Sequence, residues 1–339
     1  MEKRKITFSP PDITEKEIAE VVDTLRSGWI TTGPKTKKFE DEIAEYCGTK
    51  KAVALNSATA AMELALRLFD IGEGDEVITS AYTYTASASV VYHCGAKIIL
   101  ADTKKNGFNI DPKQVEKLIT PKTKAIIAVD IGGFPADYSE LLDIVEKKKN
   151  IFNAKKGTYQ EELGRILIIG DAAHSFGSSY KEKKIGSVAD ITSFSFHAVK
   201  NLTTGEGGAL TWNLPENFDN EEIYKGFMLL SLHGQNKDAL NKLKAGAWKY
   251  DIVMPGYKSN MTDIIASIGL VQLQRYDGEI LKKKEELVSY YEKYLGDLKD
   301  KVELPIFKND IKESCRHLYM IRLKNQDEEK RNEIIAKLG

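Results

Sequence analysis

The sequence has 339 residues, of which 42% are hydrophobic and 29% are charged, and its formal net charge is -1. This length is enough to bury a large core, and it predicts two domains or one large domain with a smaller appendage. The balanced charge argues against a disordered chain and against a general polyanion binder, so nucleic acid is a poor candidate partner.

The number of cysteines and the hydropathy of the sequence indicate the cellular compartment of the protein. Three cysteines that are odd in number and widely spaced argue against a disulfide framework and a structural zinc site, so no metal is predicted. The charged N-terminus leads into Ser9-Pro10-Pro11, and no window approaches the roughly 18 apolar residues of a membrane span. We therefore expect a reducing, cytoplasmic setting, with no signal peptide and no contact with a membrane.

The first two elements are predicted to be helices. Thr14 and Glu17 have the spacing of a capping box, and the helix that follows carries three apolar residues on one face, Ile18, Val21 and Leu25. Gly28 ends this helix. A loop then leads to a second amphipathic helix, which is marked by Phe39, Ile43 and Tyr46.

From about residue 51, short apolar segments alternate with helical ones, which indicates a mainly parallel sheet covered by helices. Seven strands are predicted, at residues 52–55, 76–79, 97–101, 125–129, 166–169, 192–196 and 209–212. Helices are predicted between several of them, for example at 60–69 and 139–148. Ligands of such sheets bind beyond the carboxyl ends of the strands, so the residues that follow each strand are candidate site residues.

Three strand ends carry such candidates. Ser57, Ala58 and Thr59 open a helix, where free N–H groups and the helix dipole favour an anion such as phosphate, although simple N-capping by Ser57 is the alternative. Tyr84 follows the second strand and could either stack on a flat heterocycle or pack against the sheet. Asp171 follows the fifth strand, so it either caps the next segment or pairs with a cation such as a protonated ring nitrogen.

Lys200 lies on a loop of small, hydroxyl and glycine residues between two β-rich segments. A lysine becomes a carbonyl-trapping nucleophile when its ammonium, with an ordinary pKa of about 10.4, is partly desolvated. An exposed loop lysine is the alternative. Residues 203–208 lack the ending of a P-loop and no G-x-G-x-x-G opens the first strand-helix unit, so nucleotide hydrolysis and dinucleotide binding lose support.

Near residues 248–257 the alternation stops, and Pro255-Gly256 marks a domain boundary. We expect a large domain of residues 1–250 and a smaller C-terminal α/β domain of residues 251–339. Thr262 begins a long helical region that is interrupted at Asp277-Gly278. A strand at 318–323 and a helix at 328–338 are predicted to follow.

Three motifs together resemble the DegT/DnrJ/EryC1/StrS family of sugar aminotransferases: D-A-A-H at 171–174, S-F-S-F-H-A-V-K-N at 193–201 and E-G-G at 206–208. Further similar segments span most of the chain, at residues 28–34, 57–61, 74–79, 232–234 and 255–263. Several ordered motifs at family-like spacing are a far stronger signal than any one of them. The resemblance implies the aspartate aminotransferase-like (type I) fold, pyridoxal 5′-phosphate (PLP) alternating with pyridoxamine 5′-phosphate (PMP), and a homodimer with a shared active site.

The resemblance also implies roles for individual residues. Lys200 would bind PLP covalently and then move protons as acid and base, and Asp171 would keep the pyridinium nitrogen protonated, which makes the ring an electron sink. Tyr84 would stack on one face of the ring. His174 would lie near the other face or near the sugar.

Three small residues at the first strand end and one serine in the lysine motif would hold the phosphate: Ser57, Ala58 or Thr59, and Ser195. Lys258 and Asn260 would reach toward the phosphate or substrate from the neighbouring subunit, although many relatives carry Asn in place of Lys258. Residues 151–164 depart from the family pattern and read as a surface insertion. The family pattern also leads us to expect further strands and helices of the small domain after Gly339.

The implied activity is a ping-pong transamination that moves an amino group, with glutamate as the expected donor, to a nucleotide-linked keto sugar. Lys200 argues against the related dehydratase branch, in which histidine replaces this lysine. Two alternatives remain open: another PLP enzyme of the same fold, such as a lyase or desulfurase, and a non-catalytic regulatory relative. No helix-turn-helix or basic stripe supports a DNA-binding form of the latter.

Overall fold

The computed structural model describes residues 9–236 and 249–338, so the charged N-terminus and Trp248 lie outside the described residues. The helices are α1 (Glu15–Ser27), α2 (Pro34–Cys47), α3 (Ala58–Leu68), α4 (Ala86–His93), α5 (Pro112–Leu118), α6 (Tyr138–Lys147), α7 (Tyr159–Leu163), α8 (Asn220–Ser231), α9 (Asp263–Gln274), α10 (Leu281–Leu295) and α11 (Glu328–Leu338). The strands are β1 (Ala52–Leu55), β2 (Glu76–Ser80), β3 (Lys97–Ala101), β4 (Thr123–Val129), β5 (Leu167–Asp171), β6 (Ser179–Tyr180), β7 (Lys183–Lys184), β8 (Ile191–Ser195), β9 (Gly208–Trp212), β10 (Val302–Glu303), β11 (Lys312–Glu313) and β12 (Arg322–Leu323).

A seven-stranded sheet in the order β1-β9-β8-β5-β4-β2-β3 forms the centre of the protein. Neighbouring strands are parallel except at β9, which runs antiparallel to both β1 and β8. All seven predicted strands are confirmed, with ends that differ by one or two residues. The mainly parallel sheet brings the carboxyl ends of β5 and β8 to the same edge.

Helices cover both faces of this sheet, because alternate strand residues point to opposite sides. One apolar layer contains Ile78, Ile126 and Ile168 together with residues of α2, α6 and α9. The other layer contains the adjacent strand residues Val77 and Ile127, together with residues of α3, α4 and α8. The sheet is therefore buried on both faces except at its edge strand β3, where Leu100 is 56% exposed.

Helix α1 has the predicted capping box, in which the Thr14 N–H donates to the Glu17 carboxylate over 2.8 Å. Two of its three predicted apolar residues, however, are exposed: Ile18 is 48% and Leu25 is 54% exposed, Val21 is partly buried, and Glu17 is 1% exposed. The reason is a buried ion pair, since the Arg275 guanidinium at the end of α9 lies 2.5 Å from the Glu17 carboxylate. This pairing turns the polar side of α1 inward.

The C-terminal part is bonded to the large domain at several places. Residues 258–261 run beside β1, where the Asn56 N–H donates to the Ser259 carbonyl over 2.8 Å, and α9 packs against α1 and α2. The predicted interruption of the long helix is a π-helical turn at 276–280. The division into domains at residue 250 stays a prediction.

The predicted strand at 318–323 is wrong for most of its length, because only Arg322–Leu323 pairs, with β10. The residues before it pack against the turn that follows β4, where the Leu318 N–H donates to the Gly132 carbonyl over 3.2 Å. The helix predicted at 328–338 is confirmed as α11. Strand β11 pairs with β6 of the large domain, and this pairing fixes the position of the chain just before residue 318.

Residues 151–164, predicted to be a surface insertion, contain the short helix α7, and the buried Gln160 side chain donates to the Phe69 carbonyl over 2.9 Å. The cysteines Cys47, Cys94 and Cys315 are free and buried. Across residues 9–236 and 249–338, we find no helix with the length and apolar character that crossing a membrane needs.

Candidate active site

A cavity of about 560 Å³ lies at the carboxyl ends of β5 and β8, beside the N-terminus of α3. The structure brings eight predicted site residues together in its lining: Ser57, Ala58, Thr59, Tyr84, Asp171, His174, Ser195 and Lys200. They come from segments far apart in the sequence, and the parallel strands place them at one edge. Lys258 and Asn260 are not among the lining residues that this chain supplies.

Lys200 follows β8 on a loop that is closed by its own N–H, which donates to the His197 carbonyl over 2.9 Å. Burial lowers the pKa of the Lys200 amine, while Asp171 acts in the opposite direction. Asp171 is the charged group that acts on the ammonium electrostatically. A half-buried amine of this kind loses its proton more readily than a surface lysine and is available as a nucleophile.

Asp171 is the last residue of β5 and is 4% exposed. Burial raises the pKa of its carboxyl group, and hydrogen bonds from the Ser87 hydroxyl at 2.7 Å and from the Ala173 N–H at 3.3 Å oppose this shift. The carboxylate is therefore held in place by two donors without a full counter-charge. A cationic ring nitrogen would supply that charge, as the sequence suggested.

His174 is half-buried, and burial followed by the nearby Lys200 lowers its pKa to about 4. Its Nδ1 lies 3.3 Å from the Gly132 N–H. A backbone N–H can only donate, so Nδ1 is the acceptor and the proton of the neutral ring is on Nε2. His174 therefore faces a ligand as a neutral hydrogen-bond donor.

His317 lies beside the site, against His174, and sequence reasoning missed it. Its ring centroid lies 4.6 Å from that of His174, and its Nδ1 lies 3.0 Å from Oδ1 of Asn201, the neighbour of Lys200. Burial lowers the pKa of His317 as well. No local motif marks this histidine, because its position depends on the return of residues 314–318 to the large domain.

The N-terminus of α3 forms the anion end of the cavity. The Ser57 hydroxyl accepts from the Ala60 N–H over 3.1 Å, so the N-capping interpretation is correct. The N–H groups of Ala58 and Thr59 precede the first intrahelical bond, which runs from Ala61 to Ser57, and they remain available to an anion. Capping and anion binding are therefore compatible at this helix.

Tyr84 is 79% exposed at the rim of the cavity, so it is not a packing residue of the sheet in this chain. Asn260 pairs with Leu55 of β1 and Lys258 pairs with Leu232, and the Lys258 ammonium donates to the side-chain Oδ1 of Asn260. The Asn260 amide donates to the Thr32 hydroxyl over 2.5 Å. This anchoring gives both side chains a defined place outside the cavity of their own chain.

The residues present fit PLP. The N-terminus of α3 suits the phosphate, the buried carboxylate of Asp171 suits the ring nitrogen, and the half-buried amine of Lys200 suits the aldehyde carbon. All three groups line one cavity. His197 and Glu206 also line it, with 3.6 Å between the ring Nε2 and the carboxylate. Both residues lie in the sequence motifs that resemble the sugar aminotransferase family.

Comparison with known proteins gives several similar ones. The putative sugar aminotransferase Spr1654 from Streptococcus pneumoniae, in its PMP-form, is 52% identical with a TM-score of 0.94, and the match covers 98% of this chain and 83% of that one. Its structure is also known in the PLP-form and the apo-form. The spore coat polysaccharide biosynthesis protein SpsC of Bacillus subtilis is 39% identical over 338 residues, which cover 98% of this chain and 80% of SpsC.

The Helicobacter pylori aminotransferase PseC, involved in the biosynthesis of pseudoaminic acid, is 27% identical with a TM-score of 0.84 over 99% of this chain and 82% of PseC. These structures confirm the type I fold, and the PLP- and PMP-forms of Spr1654 agree with the predicted cofactor. The sequence model of the DegT/DnrJ/EryC1/StrS aminotransferase family matches residues 11–339. This chain therefore belongs to the DegT/DnrJ/EryC1/StrS aminotransferase family.

Proposed function

We propose that this protein is a PLP-dependent aminotransferase that moves an amino group from glutamate to a nucleotide-linked keto sugar by a ping-pong mechanism. The proposal rests on one observation: the half-buried amine of Lys200, the buried carboxylate of Asp171 and the open N-terminus of α3 line the same cavity. The membership in a family of aminotransferases and the similarity to a sugar aminotransferase solved in PLP- and PMP-forms support it.

When bound, PLP supplies an electron sink and carries the amino group between the two substrates. Lys200 would hold the cofactor at its Nζ, and the amine, whose pKa burial lowers, would move a proton as general base and acid. Asp171 accepts the hydrogen bond from the ring nitrogen and stabilises the positive charge there. The two donors on Asp171 leave its orientation fixed before the cofactor arrives.

The phosphate is held by the first turn of α3 together with Ser195, while His174 donates from Nε2 to the cofactor or the sugar. Tyr84 would stack on one face of the ring, because its exposed side chain lies at the rim of the cavity. The exposed rim suits a large acceptor such as a nucleotide-linked sugar. The names of Spr1654 and SpsC support a sugar substrate and a role in polysaccharide biosynthesis.

The test uses glutamate labelled with ¹⁵N at its amino group and a panel of nucleotide-linked keto sugars, with product masses read by mass spectrometry. The proposal expects the label in one sugar product and formation of 2-oxoglutarate from glutamate alone, which is the first half of a ping-pong cycle. Lys200→Ala is the control that abolishes both. Transfer of the label by Lys200→Ala, or decarboxylation of glutamate without labelled sugar, would contradict the proposal.

We further propose a homodimer in which Lys258 and Asn260 complete the cavity of the partner. Asn260 is anchored beside β1, Lys258 is bonded to it, and neither side chain lines the cavity of its own chain, which supports this arrangement. Mixing Lys200→Ala with Asn260→Ala subunits creates mixed dimers that have one intact site, so about a quarter of the wild-type activity is expected after random exchange. A mixture as inactive as its components shows that each chain uses its own Asn260.

A further inference from the structure

Asp130 is a buried carboxylate behind the active site, at the end of β4, and it does not line the cavity. We propose that Asp130 is a positioning residue, which fixes the His174 ring as the tautomer with its proton on Nε2 and so makes it a hydrogen-bond donor to the bound ligand. This inference rests on the proposed function for its kinetic consequence. Its structural consequence can be measured without turnover.

Three donors converge on the two oxygens of Asp130. The Ala136 N–H lies 2.7 Å and the Tyr138 hydroxyl 2.9 Å from Oδ1, and the Ser175 hydroxyl lies 2.6 Å from Oδ2. Asp130 is 0% exposed, so these bonds replace its entire hydration. The carboxylate thereby ties the turn after β4 to the segment after β5.

Two of these bonds lead to His174. Ser175 is its chain neighbour, so the bond to Oδ2 fixes the backbone that carries the imidazole. The Ala136 bond closes the turn of residues 131–136, and within that turn the Gly133 N–H donates to the Asp130 carbonyl over 3.1 Å. Gly132 adopts a φ of +66° in this turn, and its N–H meets Nδ1 of His174 at 3.3 Å. Asp130 thus holds both the ring and the donor that selects its tautomer.

The turn has little freedom to adopt another shape. Gly133 has a φ of +92°, and a Cβ there would lie 2.9 Å from both the His174 carbonyl oxygen and the Cys315 sulfur. The Ser178 hydroxyl donates to the Gly133 carbonyl over 2.7 Å. Loss of the Asp130 acceptors would therefore release a closely packed turn and move the Gly132 N–H away from the imidazole.

The cost of burying this charge supports a functional role. Burial raises the pKa of Asp130 to about 6, although hydrogen bonds from Ser175, Ala136 and Tyr138 and the charge of Lys312 oppose the shift. A buried carboxylate that has no bonded cation lowers the stability of the folded protein. Where a buried charge has only a structural role, its replacement by an apolar or neutral residue is frequently tolerated. In this position the charge accepts three donors at once, which a neutral amide cannot do.

The test is nitrogen NMR of the protein labelled with [¹⁵N]histidine, recorded in the presence of PLP. The chain has five histidines, so His174 can be assigned from the spectrum of His174→Gln. The wild-type ring is expected to show a protonated Nε2 and an unprotonated Nδ1. In Asp130→Asn and Ser175→Ala we expect a mixture of tautomers, with kcat for ¹⁵N transfer reduced roughly 10- to 100-fold by the misplaced donor.

Tyr138→Phe is the matched control, because it removes one hydrogen bond from the same carboxylate but leaves the bonds from Ala136 and Ser175, which lead to His174. It is expected to keep the wild-type tautomer and kcat. If Asp130→Asn does not fold, Ser175→Ala still gives the decisive spectrum. The proposal is overturned if both variants keep the wild-type His174 spectrum, or if Tyr138→Phe changes it to the same extent. If the protein does not catalyse transamination, the NMR spectra are unaffected, so failure of the proposed function can be distinguished from failure of the proposed role of Asp130.

Discussion

Replacing Gly208 with alanine is expected to displace the helix that binds the phosphate. Gly208 is the first residue of β9 and lies against the N-terminus of α3. An added Cβ would be 2.4 Å from the Ser57 carbonyl carbon, 2.5 Å from the Ala58 nitrogen and 2.7 Å from the Phe194 carbonyl oxygen. These are backbone atoms, so no side-chain rotation can relieve the contact.

The size of the effect follows from the required movement. Ordinary contact with a Cβ begins at 3.4 Å, so the first turn of α3 must retreat by about 1 Å (3.4 − 2.4). Overpacking of this kind destabilises a protein by about 1–3 kcal/mol. Since anion binding depends on the directions of the first N–H groups, we expect the Kd for PLP to rise roughly 10- to 100-fold, which corresponds to about 1.4–2.7 kcal/mol.

The assay is titration of the apo-protein with PLP, followed by absorbance. Gly296→Ala is the matched control, because Gly296 has a φ of -55° and nothing lies within 4 Å of an added Cβ. The control is expected to bind PLP as the wild type does. A folded Gly208→Ala protein with the wild-type Kd would refute the inference that close packing of β9 against α3 sets the phosphate site.

Three further predictions concern charges. In Asp171→Asn the ring nitrogen loses its carboxylate, so kcat for ¹⁵N transfer should fall roughly 10²- to 10⁴-fold, and a smaller change would argue against its role. Glu17 has its pKa lowered to about 2, because hydrogen bonds from Thr14 and Arg275 outweigh burial, which acts to raise it. Its ionisation therefore supplies about 3 kcal/mol of stability that is lost as the pH falls from about 5 to 2, and urea unfolding of Glu17→Gln should lack this loss. Burial raises the pKa of Glu40 to about 7, so wild-type stability should decrease by about 3 kcal/mol as the pH rises from about 4.5 to 7. Glu40→Gln should flatten this dependence, and an unchanged slope would contradict the assignment.

Much of this protein follows from local sequence patterns. The seven strands lie close to their predicted bounds, because short apolar segments between turn residues form the buried strands of a mainly parallel sheet. The motif around Lys200 also pointed to Asp171 and to the first turn of α3, and these three regions line one cavity because parallel strands present their carboxyl ends at one edge.

Other features depend on contacts between distant segments. The inward turn of the polar face of α1 follows from the pairing of Glu17 with Arg275, which the apolar periodicity of that helix cannot show. His317 and the fixed tautomer of His174 depend on the turn after β4 and on the return of residues 314–318 to it. The sequence by itself therefore determined the strands, because these follow from local periodicity, and its resemblance to the family named the candidate reactive residues at their ends. Only the tertiary structure decided which buried groups orient them, because such bonds join residues that no local pattern connects.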